Sequence, residues 1–201
     1  MKEVTTKIEG ELITHRLLWR CCIKQMEAAR SREYDASYFH LTAMLMAYFT
    51  YEAYLNFLGD RIAPKVWEDE RRYFSKKPYR GADGKLRKIA EICGFEIERG
   101  KRPHETIVEL EKLRNFVAHG KPDKYEEKVK HQPEREPSMF GYDTLSKYIT
   151  QEKAERAIND GKEFIEFLHE RCRAKVRDGW YGDKALEGSL GYASSQIICE
   201  T

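Results

Sequence analysis

The stretch Leu113-Arg114-Asn115-Phe116-Val117-Ala118-His119-Gly120-Lys121-Pro122 decides how this chain is read. It closes a helix predicted to begin near Pro103, because proline suits a first helical turn and Gly120 followed by Pro122 is a strong stop. Ile107, Leu110, Leu113 and Val117 recur at helical spacing, so one face belongs to a core. At about 100° per residue, Asn115 and His119 fall on a different face, one turn apart. Arg114 stands at the edge between the two. Its stem can lie along the apolar stripe while the guanidinium reaches toward Asn115 and His119. Ala118 has almost no side chain, so another surface can come close there.

An arginine, an amide and an imidazole at one helix end suit work on a phosphodiester. Arg114 offers a planar fork of donors that fits two phosphate oxygens and never loses its charge. Histidine is the side chain whose ordinary pKa lies nearest neutrality, so His119 is the candidate to give or take a proton. Asn115 is placed to fix the imidazole tautomer or to bond a ribose hydroxyl. The same arginine and histidine also complement the dipole of a helix C-terminus, with no chemistry implied.

Arg114-Asn115-Phe116-Val117-Ala118-His119 resembles the Arg-Asn-x-x-x-His form of the HEPN signature. The resemblance extends over roughly residues 10–173, with the motif as its specific part. It implies an all-helical, four-helix up-and-down bundle with the motif at the end of the third core helix. It also implies a metal-independent ribonuclease that pairs as a homodimer, two motifs sharing one cleft. Attack of the ribose 2′-hydroxyl on the adjacent phosphate would leave a 2′,3′-cyclic phosphate and a 5′-hydroxyl. A role in toxin–antitoxin systems or defence, and an antitoxin or regulatory partner, follow from the family alone. Some HEPN toxins carry a tyrosine two residues after the histidine that an antitoxin modifies. Lys121 occupies that place here.

Composition bounds the rest. A chain of 201 residues is one ordinary domain with room for a core. Its formal net charge of +2 gives no global basic field, so attraction for RNA has to come from a local patch. The five cysteines are Cys21, Cys22, Cys93, Cys172 and Cys199, an odd number with no Cys-x-x-Cys spacing, which points to reduced thiols in a cytoplasmic protein. No histidine, cysteine or carboxylate set has metal-ligand spacing, so neither metal nor cofactor is expected. The start is not a signal peptide, and the longest uncharged run, Ala36 to Tyr51, is 16 residues. A membrane span needs about 20 apolar residues.

Along the chain, residues 1–10 read as a loose lead-in and about Glu11 to Arg30 as a first helix. Its apolar side is Leu12, Leu17, Leu18, Cys21, Cys22, Met26 and Ala29, interrupted by Arg16, Arg20 and Lys24. Asp35 stands where an N-cap would, before a long helix to Arg61 that is apolar nearly all round and therefore central. Glu52 and Asn56 are polar intruders on it, one turn apart, and a polar pair on a buried helix needs partners. They either reach the Arg114/His119 cluster and orient it, or form an internal salt bridge or wet rim. The HEPN resemblance favours Glu52 for the first role.

Pro64 opens a shorter helix through Trp67 to Phe74, and Ser75 to Gly84 reads as a loop. Lys76, Lys77, Arg80 and Lys85, with Tyr73 and Tyr79, mix charge and aromatics in a way that suits single-stranded nucleic acid, although a solvated loop is the reading to prefer. Leu86 to Cys93 is a short helix ended at Gly94, and Phe95 to Glu98 a connection. After Gly120 an irregular stretch is expected to about Tyr148. Lys121 and Lys124 are its candidates for holding RNA, against the acids Glu126, Glu127, Glu134 and Glu136. Thr150 caps a last helix to about Cys172. The tail from Arg177 is not expected to be a core element, although Trp180, Tyr181, Leu186, Leu190 and Tyr192 could dock.

The resulting expectation is an all-α, up-and-down four-helix-type bundle with extra short helices and an irregular C-terminal tail. Residues 1–176 form the HEPN-like domain and 177–201 the tail. The expected activity is an endoribonuclease acting through Arg114 and His119 with Asn115 and Glu52 in support. Lys121 and Lys124 would hold RNA. The alternative is a non-catalytic helical interaction or regulatory module. A bundle holding a metal or haem is a weaker third reading.

Overall fold

The long apolar run from Ala36 forms the longest helix because nothing in it can face water for long. In the computed structural model this helix, α2, spans Ala36–Ile62, and every residue from Phe39 to Gly59 is buried or half-buried. The structure describes residues 5–32, 35–134, 141, 143–176, 182 and 184–198. Trp180, Tyr181 and Cys199, singled out above, lie outside them.

In chain order the described elements are β1 (Thr5–Leu12), α1 (Thr14–Arg30), α2, α3 (Pro64–Trp67), α4 (Glu70–Tyr73), α5 (Gly81–Cys93), α6 (His104–His119), α7 (Thr144–Tyr148), α8 (Gln151–Cys172), a 3-10 turn (Arg173–Lys175) and β2 (Gly191–Ile198). The fold is thus all-α with short extra helices, joined by one two-stranded ribbon. No helix among the described residues is long and apolar enough to cross a membrane.

The chain divides into two units. One comprises residues 20–49 and 96–164. Its core is Cys22, Met26, Ala43, Met44, Ala47 and Tyr48 with Ile107, Leu110, Leu113, Ala154, Ala157 and Phe164. Alanines on α2 let α1 close in, and the Cys22 thiol donates to the Ala43 carbonyl at 3.3 Å. Asp160 on α8, almost fully buried, takes both forks of Arg102 at 2.7 and 2.6 Å and the Thr106 hydroxyl. Burial alone would raise its carboxyl pKa, yet these donors hold it below the usual value.

The other unit comprises the described residues of 1–19, 50–95 and 165–201. Tyr51, Tyr54, Leu55 and Leu58 of α2 pack there with Trp67, Phe74, Leu86, Ile89, Ile165 and Leu168. β1 and β2 pair antiparallel, from Thr5 opposite Ile198 to Leu12 opposite Gly191.

Several expectations are corrected here. The lead-in is a strand from Thr5, so the first helix starts at Thr14 and not at Glu11. Arg16 does not interrupt an apolar face in solvent; it is buried, whereas Leu12 and Leu17 are exposed. The helix opened by Pro64 breaks at Glu68-Asp69 into α3 and α4. The loop ends at Arg80, because Gly81 to Lys85 already belong to α5, with Ala82 and Gly84 buried. The stretch before Tyr148 contains α7, capped by Asp143, whose carboxylate accepts from the Ser146 N–H at 2.7 Å. The tail is not irregular throughout: Ala185 and Leu186 are buried and Gly191–Ile198 is a strand. The bounds of α6, the α5 stop at Gly94 (φ 73°) and the Thr150 cap, with Lys153 N–H donating to its hydroxyl at 3.2 Å, are as the sequence predicts.

Candidate functional site

α6 carries Ile107, Leu110 and Leu113 buried on one side, with Val117 half-buried, so the stripe read from the sequence is the packed face. The helix stops where the chain cannot continue it. Gly120 takes a left-handed conformation (φ 36°), and its N–H bonds back to the Phe116 carbonyl at 3.2 Å. His119 is therefore the last helical residue, and it is exposed.

Arg114 is half-buried. Its guanidinium carbon lies 5.4 Å from the centre of the Tyr48 ring on α2, a cation–π arrangement. Nη1 donates to Asn115 Oδ1 at 2.8 Å. A fork held by a buried aromatic ring on one side and an amide on the other has lost much of its rotamer freedom before any anion arrives. Phe116 is 43% exposed beside it, and Ala118 is exposed as well. The motif is thus an open helix end. A groove of about 370 Å³ in the same unit is lined by Ile23, Met26, Arg30, Glu155 and Ile158, and includes no motif residue.

No family model, curated protein or solved structure matches the chain.

The other expected residues fall as follows. Glu52 is half-buried on α2, in the unit that holds residues 50–95, whereas the motif belongs to the unit of residues 96–164. Asn56 does not serve the motif: it accepts from Lys85 Nζ at 2.7 Å, and Lys85 is ion-paired to Glu70. That pairing also removes Lys85 from the proposed nucleic-acid loop. The loop aromatics are spoken for, since Tyr73 and Tyr79 stack at 5.6 Å and the Tyr79 hydroxyl donates to Glu91 at 2.8 Å. Lys76 and Lys77 remain exposed.

Lys121 and Lys124 are exposed on the irregular run that leaves Gly120, and neither makes an ion pair among the described residues. Two neighbouring acids are engaged elsewhere. Asp123 accepts from the Thr144 N–H at 2.5 Å, and Glu127 pairs with Lys147 at 2.5 Å. No group of three or more histidine, cysteine or carboxylate side chains among the described residues could hold a metal ion.

Sequence reasoning missed the part played by Tyr48, which reads only as core. No residue pattern announces it, because the contact depends on how α2 meets α6. Phe116 could have been noticed: it is a large apolar residue off the Leu113/Val117 stripe.

Proposed function

We propose that the chain is a HEPN-type, metal-independent endoribonuclease, working in the cytoplasm as a homodimer, with Arg114, Asn115 and His119 as one half of the site. The observation that carries the reading is the clamped arginine: a charged fork fixed by Tyr48 and by Asn115, which itself stands one turn before an exposed histidine. An ordinary C-terminal arginine would be free to wander in solvent. A single open helix end excludes little water, so a second copy is needed to enclose a phosphate.

In this reading the ribose 2′-oxygen attacks the adjacent phosphorus and the bond to the 5′-oxygen breaks. One His119 takes the 2′-hydroxyl proton, and the other protonates the departing 5′-oxygen. Arg114 stabilises the charge that develops on the phosphoryl oxygens. Asn115 orients the guanidinium, and Lys121 and Lys124 hold RNA flanking the scissile bond. A place in toxin–antitoxin control or defence, with an antitoxin or regulatory partner, belongs to the same proposal.

Cleavage of RNA in EDTA by wild type, Arg114→Ala and His119→Ala protein tests it. Loss of about 10²-fold or more in both variants, with helix content unchanged, is expected. Equal cleavage by all three would mean a contaminant and end the proposal. Absence of cleavage by wild type would favour the second reading, a non-catalytic interaction module, for which the exposed Phe116 and Ala118 offer a contact face.

A further inference from the structure

A two-stranded ribbon is marginal on its own in water and gains stability by adding strands or a cover. Among the described residues β1 pairs with β2 alone, and Ile8 is 71% and Leu12 59% exposed. Side chains alternate, so Ile8, Gly10 and Leu12 share one face with their partners Ser195, Ala193 and Gly191, and Thr6 lies on the same face. That face is apolar or small and open. The opposite face carries Lys7, Glu9 and Glu11.

The direction of the backbone groups follows from the register. The Ile13 N–H bonds to the Leu190 carbonyl at 2.7 Å, continuing the ladder past Leu12 and Gly191. In an antiparallel ladder every second residue faces its partner. Odd-numbered residues of β1 therefore point their N–H and C=O toward β2, and Thr6, Ile8 and Gly10 point theirs to the open edge.

Charges on an open edge usually discourage pairing. Here Lys7 and Glu9 carry opposite signs at equal distances from Ile8, and they already form an ion pair at 2.5 Å while both remain more than half exposed. One antiparallel register turns that pattern into attraction. With Ile8 opposite Ile8 of a second copy, Lys7 stands opposite Glu9 twice over and Thr6 opposite Gly10. The Ile8 pair is then a hydrogen-bonded one, made by the groups that face outward. Lys7 and Glu9 become non-hydrogen-bonded neighbours, where side chains lie closest. β2 has no charged residue between Gly191 and Ile198, so its edge has no such register.

We propose that the open edge of β1 pairs with β1 of a second copy, antiparallel and centred on Ile8, joining two ribbons into a four-stranded sheet ordered β2-β1-β1-β2. The surface contains none of Arg114, Asn115 and His119, and the inference does not rest on the nuclease reading.

Sedimentation equilibrium of the full chain tests it, with wild type, Lys7→Glu, Glu9→Lys and the double charge swap. Each single change sets like charges opposite each other at two places and should raise the dimer dissociation constant about tenfold or more. The double swap restores complementarity and should return it near the wild-type value. Circular dichroism confirms unchanged helix content. Wild type that stays monomeric at about 100 µM overturns the proposal. So does a dimer that ignores the single changes, or a double swap that fails to rescue.

Discussion

His15 is a histidine that the fold keeps neutral. It is buried on α1, and Nε2 lies 3.1 Å from the Ala185 carbonyl, to which it donates. Burial, aided by the nearby Arg16, His169 and Arg61, pushes its pKa from 6.5 down to about 3, against the opposing pull of the Ala185 bond. His169 is lowered in the same direction, chiefly by burial. Its Nε2 donates to the Gly182 carbonyl at 3.2 Å, so Nδ1 accepts from the Tyr54 hydroxyl at 2.8 Å. The sign follows from which state binds the proton. Below pH 6.5 the unfolded chain protonates His15 and the folded chain does not. The stability is full above the unfolded value and is lost as pH falls toward the folded one. Urea unfolding at about pH 7.5 and about pH 5 should differ by roughly 2 kcal/mol from His15 alone. His15→Gln should flatten that dependence by about the same amount; an unchanged pH slope would show that His15 is not held neutral.

At the scale of elements, the same substitution should act oppositely in two helices. Gly59 on α2 is buried, and a methyl group there would overlap the indole of Trp67, itself packed on Phe74 at 4.8 Å. Gly161 in α8 has nothing near the place a methyl would take. Gly59→Ala should cost about 1–3 kcal/mol by overpacking, and Gly161→Ala should gain about 0.5–1 kcal/mol from helix propensity. Urea midpoints of the two variants decide it; equal shifts would show that the Trp67 contact gives way freely. This contrast marks the limit of what the sequence discloses. The bounds of α6 were legible because Pro103, the apolar period and the Gly120 stop agree, and the start of α8 because Thr150 caps it. Gly81-Ala82-Asp83-Gly84 reads as the end of a loop, yet it opens α5, with Gly84 so close to the Tyr79 backbone that a methyl group would not fit. The β1–β2 pair joins opposite ends of the chain, and neither segment names its partner. At the motif, the reach of Arg114 toward Asn115 could be drawn from one helix alone. The ring beneath it could not, because Tyr48 comes from another helix.

At the scale of the whole molecule, the C-terminal segment completes the unit that contains both strands. Arg16, buried on α1, donates to the carbonyls of Ala185 at 3.1 Å, Ser189 at 3.0 Å and Lys184 at 3.4 Å. Glu166 accepts from the Ala185 N–H at 3.2 Å, and Leu186 is buried beside it. One guanidinium thus reaches three backbone oxygens, sharing that of Ala185 with His15, and ties down the chain that leads into β2. Gly188 faces it with φ 107°, where a side chain would be strained and a methyl would sit 3.1 Å from Nη1. Arg16→Ala removes the donor to the Lys184 and Ser189 carbonyls, leaves Ala185 with His15 alone, and should cost about 1–3 kcal/mol. The loss should be local before it is global, since Lys184 sits within the released segment. Limited trypsin digestion should therefore cut the variant after Lys184 under conditions where wild type resists, with α-helical circular dichroism still largely intact. Equal protection of Lys184 in the two proteins would show that Leu186 and the β1–β2 ladder hold the segment without Arg16.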